Sequence, residues 1–314
     1  MNKINDIKQE VKKIIVGQEE LVDSLLVGLI ANGHILVEGV PGLAKTTAIN
    51  AIAKALGIDF KRIQFTPDLL PSDVTGTEIY NPKSGEFSVK KGPIFTNLLL
   101  ADEINRAPAK VQAALLEVMQ ERQVTIADST FKVDDPFLVM ATENPVEQEG
   151  TYRLPEAQLD RFMLKVLVDY NTLEEEMEIV ERVAIKGFEE VQAVASIEDL
   201  AQIRESFKKI HVDDALKKYM AKIVFATRSP NEYGCDELSD YIEFGASPRA
   251  SIDLYKASCA VALIRGNDFV TPLDVAYIAN SVLRHRIILN YKAQAKNVTT
   301  DDVVKKILEN IKAP

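Results

Sequence analysis

Cysteine and histidine are scarce in this sequence of 314 residues, which contains two cysteines and three histidines. The two cysteines, Cys235 and Cys259, argue against a disulfide framework and a zinc cluster, because both need several cysteines at regular spacing. The scattered histidines argue in the same way against a histidine-based metal site. Structural metals and disulfides are therefore not expected to organise this fold.

The sequence also lacks long apolar runs and a net positive charge. The longest apolar run, Leu25 to Ala31, is too short to span a bilayer. The polar residues 1–13 contain no apolar region typical of a signal peptide. We therefore expect a cytoplasmic protein without a membrane span. The net charge of −10 makes nucleic-acid binding less expected, since that function usually needs a basic surface.

Short apolar segments alternate with helical patterns in the first half of the chain. Strands are predicted at residues 34–38, 60–65, 98–101, 137–141 and 163–168, and helices at 46–56, 107–121 and 172–183. Apolar strands interleaved with helices indicate a parallel sheet covered on both faces. Mostly helices are predicted after it, at 197–207, 213–227, 248–264, 272–285 and 300–311. We therefore predict an α/β core with a parallel five-stranded sheet (residues 1–190) and a smaller all-helical domain (residues 191–314).

Two segments interrupt the predicted core. Residues 66–93 are rich in proline, glycine and aspartate, with short extended pieces. Residues 122–135 alternate polar and apolar side chains around Asp128 and Ser129, a pattern that predicts a β-hairpin. Insertions of this length in a compact domain are usually functional or mobile.

A phosphate-binding loop is predicted between the first strand and the following helix. The sequence from Gly39 to Thr46 reads GVPGLAKT. Backbone N–H groups of such a loop and the positive end of the helix can cradle phosphates. Lys45 would reach the terminal phosphates and Thr46 would ligate Mg²⁺. Ala44 stands where the common pattern has glycine. The alternative is a glycine-rich turn that caps a helix, which the position of the Lys-Thr pair disfavours.

Two acids follow the apolar strand that ends at Ala101. Asp102 would hold the shell of Mg²⁺, and Glu103 would act as the general base that polarises the attacking water. Alone, these residues could equally be two solvated acids at a strand end. The upstream loop favours the functional interpretation, because parallel strands bring both ends to the same phosphates.

Three further polar residues are candidates. Asn144 follows another apolar strand and could orient water, although asparagine before Pro145 is also a common turn former. Arg161 could stabilise charge in a neighbour's site, as arginine fingers do. From the residues alone, a surface salt bridge with Asp160 is the favoured interpretation of Arg161. A surface role is likewise favoured for Arg249.

Taken together, these motifs resemble the MoxR branch of the AAA+ ATPases over nearly the whole chain. The resemblance implies that residues 15–18 contact adenine and that MoxR members commonly carry alanine at the position of Ala44. It implies roles for a set of residues in nucleotide binding: Val16, Gly17, Gly39, Pro41, Gly42, Leu43, Ala44, Lys45, Thr46 and Thr47. Thr46 and Asp102 would hold Mg²⁺ and Glu103 would be the base. Asn144 would be the first sensor. Arg161 would be the arginine finger, with Arg153 as the alternative, and Arg249 a second sensor on the γ-phosphate.

The resemblance also implies a mechanism. ATP would lie between the core and the helical lid at a subunit interface, and the two inserts would face the channel of a hexameric ring. Relatives remodel client proteins, often with partners that carry a von Willebrand factor A domain, and some assist metal or cofactor insertion. A nucleic-acid motor and a nucleotide-gated scaffold with little turnover are the alternatives. Few basic residues in the inserts disfavour the motor.

Overall fold

A computed structural model describes residues 2–83, 85–146, 150–185, 187 and 189–314. The first part of the chain contains these elements: α1 (Asn2–Lys12), α2 (Glu19–Ala31), β1 (Ile35–Gly39), α3 (Lys45–Leu56), β2 (Phe60–Gln64), α4 (Pro71–Thr75), β3 (Gly76–Asn81), β4 (Glu86–Lys91), β5 (Leu98–Asp102), α5 (Ala109–Glu121), β6 (Gln123–Ile126), β7 (Ser129–Lys132), β8 (Leu138–Glu143), α6 (Glu156–Leu159), β9 (Leu164–Val168) and α7 (Leu173–Val180). The remainder contains α8 (Ile197–Phe207), α9 (Asp214–Ala226), β10 (Ile242–Phe244), α10 (Pro248–Ile264), α11 (Pro272–Leu283), β11 (Ile288–Leu289), α12 (Tyr291–Ala295) and α13 (Thr300–Asn310).

Five strands form the central sheet in the order β2-β5-β8-β1-β9, and every pairing is parallel. Alternate side chains of β5 enter two different apolar clusters. Leu98 and Leu100 pack on the side of α2 and α3, whereas Leu99 and Ala101 pack on the side of α5. This period of two buries the sheet on both faces. The predicted α/β core with a parallel five-stranded sheet is confirmed.

The C-terminal helices pack behind the sheet and form the lid. α10 packs against α2, and α11 packs against both α10 and β9. The predicted all-helical second part is confirmed apart from the short β10–β11 pair. Residues 189–196 form neither helix nor strand. The domain boundary at residue 190 stays a prediction.

The two inserts are both hairpins. β6 and β7 form the hairpin predicted within residues 122–135. In the other insert, α4 leads into a longer hairpin of β3 and β4, of which residue 84 lies outside the described part of the chain. Sequence analysis predicted only short extended pieces there.

Two N-terminal helices, α1 and α2, were not predicted from the sequence. The helix predicted over 172–183 ends as α7 at Val180 and continues as one π-helical turn over residues 181–185. Among the described residues, no helix combines the length and apolar character needed to cross a membrane.

Candidate functional site

The phosphate loop connects β1 to α3. A Cβ atom at Gly39 would lie 2.7 Å from the Val168 carbonyl oxygen, so only glycine lets β1 run this close to the end of β9. Ala44 adopts a left-handed conformation with φ of 54° immediately before α3. An L-residue in that region costs about 1–2 kcal/mol, and the rest of the loop must stabilise it. The alanine therefore keeps the backbone geometry that glycine would provide.

A cavity of about 410 Å³ lies beside this loop. Its lining residues come from the loop and from the carboxyl ends of three strands: Pro41, Gly42, Leu43, Ala44, Lys45, Thr46, Thr47, Arg62, Gln64, Asp102, Glu103, Thr142 and Asn144. The parallel sheet places these strand ends at one edge, where open α/β sheets bind ligands. We call this space the phosphate cavity.

Lys45 contributes a cation to the phosphate cavity. Its Nζ donates to the carbonyl oxygens of Gly39 at 2.6 Å and Val40 at 3.3 Å. Burial lowers the pKa of the Lys45 amine, and the charges of Asp102 and Glu103 act in the opposite direction. The ammonium group therefore lies within electrostatic reach of both candidate acids.

Thr142 connects the two acids. The backbone N–H of Glu103 donates to Thr142 Oγ1 at 2.8 Å, and that hydroxyl donates to Asp102 Oδ1 at 2.6 Å. Glu103 has a left-handed backbone with φ of 55°. Strained residues of this kind occur often at functional sites. Sequence analysis gave Thr142 no role.

Two further polar residues of the phosphate cavity were missed by sequence analysis. Arg62 donates to Asp102 Oδ2 from Nε at 3.0 Å and from Nη2 at 2.6 Å. Gln64 donates to Glu103 Oε2 at 2.7 Å. Both lie on β2, two residues apart, and the β2–β5 register places Gln64 opposite Asp102. The contacts of Arg62 and Gln64 with the two acids depend on which strands are neighbours, and the sequence does not show this. The sequence does show two polar residues at alternate positions of a short strand, which places both side chains on one face.

Asn144 lies at the end of β8 and lines the phosphate cavity. It is only 6% exposed, and its Oδ1 accepts a hydrogen bond from the Val146 backbone N–H at 3.1 Å. The amide thus has both the turn-forming contact and the position at the cavity that sequence analysis considered.

Oxygen ligands for a divalent metal are present in the phosphate cavity. Thr46 supplies a hydroxyl and Asp102 a carboxylate, which are ligands that Mg²⁺ accepts. No group of three or more acidic, histidine or cysteine side chains that could hold a metal occurs in the described ranges. The hydroxyl and the carboxylate suit Mg²⁺, which commonly takes one or two protein ligands and fills its shell with phosphate oxygens and water.

A second cavity of about 290 Å³ adjoins the first, because both are lined by Gly42, Leu43, Ala44 and Thr47. Its other lining residues come from the N-terminal segment and from the segment after β9: Lys13, Ile14, Val16, Asn171, Ile179, Arg182, Val183, Gly187 and Glu189. The apolar side chains suit a flat aromatic base. We call this space the base cavity.

The N-terminal segment is fastened to the chain that follows β9. Asn171 Nδ2 donates to the Val16 carbonyl oxygen at 3.0 Å. Gly17 has a φ of +66°, and a Cβ there would lie 2.6 Å from a carboxylate oxygen of Glu175. Gly17 therefore shapes the turn beside the base cavity without lining it. The segment after β9 lines the base cavity through Asn171, Ile179, Arg182, Val183, Gly187 and Glu189, and none of the lining residues comes from the lid. The position of the nucleotide between core and lid stays a prediction.

The predicted arginine finger and the predicted second sensor lie together, away from the phosphate cavity of their own chain. Arg161 and Arg249 line a third cavity of about 350 Å³, together with Arg122 and Lys256. None of its lining residues borders the phosphate cavity. Arg249 does not border the phosphate cavity of its own chain, because α10 packs against α2. Its role as a second sensor stays a prediction. We call this space the arginine cavity.

Asp160 does not form the salt bridge with Arg161 that the residues alone favoured. Its carboxylate pairs with Arg286 Nε at 2.8 Å and lies 3.7 Å from Arg249 Nη1. Within the described residues, no hydrogen bond or ion pair involves the Arg161 guanidinium. Arg153, the alternative finger, is exposed and lines none of the three cavities.

A buried arginine joins the lid to the segment that carries Arg161. The Arg286 side chain is 1% exposed and donates to Asp160, to Asp253 Oδ2 at 2.6 Å and to the Phe162 carbonyl oxygen at 2.8 Å. Burial raises the pKa of the Asp253 carboxyl, and Arg286 opposes this shift. Arg249 and Arg161 are therefore held on one packed unit.

A phosphate loop on a five-stranded parallel sheet, two acids at the next strand end and a helical lid define a AAA+ nucleotide-binding protein. Family models agree: the ATPase family associated with various cellular activities (AAA) matches residues 34–164, and the AAA lid domain matches residues 238–307.

Full-length relatives specify the family. Chaperone MoxR1 of Mycobacterium tuberculosis is 49% identical over 97% of this chain and 81% of its own length. Protein YeaC of Bacillus subtilis is 43% identical over 98% of this chain and 93% of its own. The crystal structure of a candidate ATPase from Cytophaga hutchinsonii is 51% identical, with a TM-score of 0.94 over 100% of this chain and 95% of that one. This chain belongs to the MoxR family of AAA+ ATPases.

Proposed function

We propose that this chain hydrolyses ATP in a hexameric ring in which a neighbouring copy completes each site. The observation that supports this is the separation of functional groups within one chain. The loop, the acids and Asn144 line the phosphate cavity, whereas Arg161 and Arg249 line the arginine cavity. Arginines that cannot serve their own phosphates can serve those of a neighbour. Arg249 is thereby reassigned from its own site to the adjacent one.

The residues of the phosphate cavity have complementary roles in this proposal. Lys45 leaves the loop carbonyls and binds the terminal phosphates. Thr46 and Asp102 hold Mg²⁺, which when bound neutralises charge that develops on the phosphates. Glu103, aligned by Thr142, accepts the proton of the attacking water, and Asn144 orients that water. The base cavity receives adenine beside Val16.

Complementation between two inactive variants tests the shared site. Lys45→Ala removes phosphate binding but keeps the arginines, whereas Arg161→Ala keeps the loop and lacks the finger. Each variant alone should lose at least about 10³-fold in turnover, the lower end of the effect of an arginine finger. Random one-to-one mixing should restore about a quarter of the parental rate per subunit, because about one interface in four combines an intact loop with an intact arginine.

The controls distinguish the alternatives. Glu103→Gln should bind ATP without turnover and provides the blank. If the mixture stays inactive while parental activity per subunit rises with protein concentration, the assignment of Arg161 as the shared residue is wrong. If the parent binds ATP but does not hydrolyse it, the nucleotide-gated scaffold is the better description.

Protein clients are the proposed substrates, as the name of the chaperone relative suggests. The tip of the β3–β4 hairpin exposes Tyr80 and Phe87, whose ring centroids lie 5.0 Å apart. Exposed aromatic side chains suit apolar segments of a polypeptide. Of the few basic residues in the inserts, Lys91 already contacts aromatic side chains of this chain, since its Nζ lies over the rings of Phe95 and Phe131. This disfavours the nucleic-acid motor.

The resemblance to the MoxR branch extends the proposal to partners and location. On this basis we also propose partners with a von Willebrand factor A domain and a role in metal or cofactor insertion. We propose the cytoplasm as the location of the protein. Co-purification of a tagged chain with ATP and the Glu103→Gln substitution would identify clients, since blocked turnover retains them. Recovery of nucleic acid in place of protein would favour the motor.

A further inference from the structure

The phosphate cavity contains a second cation besides Lys45, and neither the motifs nor the roles above use it. Arg62 projects from β2, the edge strand of the sheet, and reaches Asp102 on the neighbouring strand. Both guanidinium nitrogens, Nε and Nη2, donate to the same carboxylate oxygen, Oδ2. The other oxygen accepts the Thr142 hydroxyl. Oδ2 of the residue proposed to hold Mg²⁺ therefore accepts two hydrogen bonds, which use both of its lone pairs, and Oδ1 accepts one.

We propose that Arg62 is a built-in competitor of Mg²⁺ for Asp102 and so sets the metal concentration at which the site binds Mg·ATP. This inference rests on the proposed ATP site. It requires that Arg62 leave Oδ2 when the metal is held by that oxygen, since the two guanidinium N–H groups use both of its lone pairs.

The exposure of Arg62 makes this exchange possible. Its side chain is 50% exposed, whereas that of Asp102 is 15% exposed. A half-exposed guanidinium can return to water at little cost, because ion pairs near the surface are weak. A buried arginine in the same position would block the metal. Arg62 therefore competes with Mg²⁺ without excluding it.

The pairing also keeps the cavity ready for ATP. Lys45 is attracted to Asp102, and an Asp102–Lys45 ion pair would remove the cation that the phosphates need. Since Arg62 neutralises Asp102, the Lys45 amine rests on the carbonyl oxygens of Gly39 and Val40 instead. Uncharged acceptors release an ammonium group to phosphate more easily than a carboxylate does.

Arg62 also contacts the partner of the general base. Its Nη2 donates to Gln64 Oε1 at 2.8 Å, and Gln64 Nε2 donates to Glu103 Oε2 at 2.7 Å. When Arg62 leaves Asp102, Gln64 loses the bond that orients its amide. Metal binding at Asp102 thereby affects how firmly the Glu103 carboxylate is held, through the side chains of Arg62 and Gln64 on β2.

Nucleotide binding without turnover tests the competition. The probe is a fluorescent β,γ-imido analogue of ATP, titrated first in EDTA and then with increasing MgCl₂. Arg62→Gln should lower the half-saturating Mg²⁺ concentration about five-fold, equivalent to about 1 kcal/mol. Its affinity for the metal-free analogue should fall by less than about ten-fold, because Lys45 is then drawn to Asp102. Lys61→Gln removes an equal charge from the same strand, where Nζ bonds the Phe95 carbonyl oxygen, and should leave the Mg²⁺ midpoint unchanged.

The outcomes separate this inference from the proposed function. An unchanged or higher Mg²⁺ midpoint in Arg62→Gln, with normal binding by the parent, overturns only the role of Arg62. A loss of metal-free affinity of more than about ten-fold also overturns it, since Arg62 would then be a direct phosphate ligand. If the parent binds the analogue neither with nor without Mg²⁺, the ATP site itself is refuted.

Discussion

His34 provides a measurable link between pH and the stability of the nucleotide-binding core. It lies immediately before β1, buried between α5 and β8. Its Nδ1 accepts the Val139 backbone N–H at 2.9 Å, and its Nε2 lies 3.1 Å from the Met119 carbonyl oxygen. A neutral ring with the proton on Nε2 satisfies both contacts. Burial, aided by the nearby Arg122 cation, lowers the pKa of His34 from 6.5 to about 3.

The sign of the effect follows from proton binding. The unfolded chain takes up a proton on His34 as pH falls through about 6.5, whereas the folded chain does so only near pH 3. The contribution of neutral His34 is therefore fully present above pH 6.5 and is lost progressively towards pH 3. Between about pH 7.5 and pH 5, the loss in free energy of unfolding is about 2 kcal/mol. At pH 5 this value scarcely depends on the folded-state pKa, because the folded ring is still neutral.

Denaturant unfolding at these two pH values, for the parent and for His34→Asn, measures this contribution. Asparagine can accept the Val139 N–H but leaves the Met119 carbonyl oxygen without its donor, so His34→Asn should be less stable by about 1–3 kcal/mol at neutral pH. Its further loss on acidification should nevertheless be about 2 kcal/mol smaller than that of the parent. His285, whose pKa is also lowered by burial, contributes to the loss in both proteins and cancels in the comparison.

Exposed His211 supplies the matched control, since His211→Asn should leave the acid-induced loss as it is in the parent. Equal losses in the parent and in His34→Asn, within about 0.5 kcal/mol, would refute the neutral buried ring.

Three other substitutions test the site and its support. Ala44→Gly should raise the free energy of unfolding by up to about 1 kcal/mol with nucleotide affinity retained, because glycine adopts a φ of 54° without strain; chemical denaturation would contradict this if the variant were less stable. Thr142→Val should cost about 1–3 kcal/mol and lower kcat more than KM, since it leaves the Glu103 N–H unpaired; parental turnover would argue against the alignment of the acids. Arg286→Met should cost about 3–5 kcal/mol by leaving the buried Asp253 without its ion-pair partner and removing the nearer cation of Asp160. Adding Asp253→Asn should recover part of that loss, and a double variant less stable than the single one would contradict this explanation.

The phosphate loop and the acidic strand end could be predicted because each motif is local. The loop, with its strand before and helix after, occupies one continuous segment from β1 to α3. Asp102 and Glu103 similarly follow directly from β5. Such motifs can be recognised without knowing the strand order, because the pattern of apolar residues already shows the strands and helices beside them.

The cross-strand contacts of the site could not be predicted in the same way. Asp102 meets Arg62 on one side and Thr142 on the other because β5 lies between β2 and β8. These strands are separated by helices and hairpins, so their order depends on how the whole sheet packs. Residue patterns within a strand show which side chains share a face, but not which strand lies beside it.

The two missed N-terminal helices differ in how visible they were. α1 places Ile4, Ile7 and Val11 on one buried face at helical spacing, a signal that sequence analysis could have used. α2 is buried over nearly all of its residues from Leu21 to Ala31, so it lacks the polar face that gives a helical period. The position of the lid follows from α2, because α10 packs on it. Because α2 was missed, the position of Arg249 away from the phosphate cavity could not be predicted either.

In the proposed ring, this placement of the lid determines how a change in one subunit can reach the next. A lid that covered the nucleotide of its own chain would sense that nucleotide through Arg249. Here the Arg286 side chain binds Asp160 and Asp253 together, so that Arg249 and Arg161 belong to one packed unit. A tilt of the lid must move both arginines together, because separating them would break a buried ion pair at a cost of several kcal/mol. In a ring, we therefore expect a change in the lid of one subunit to alter the site of its neighbour before it alters its own.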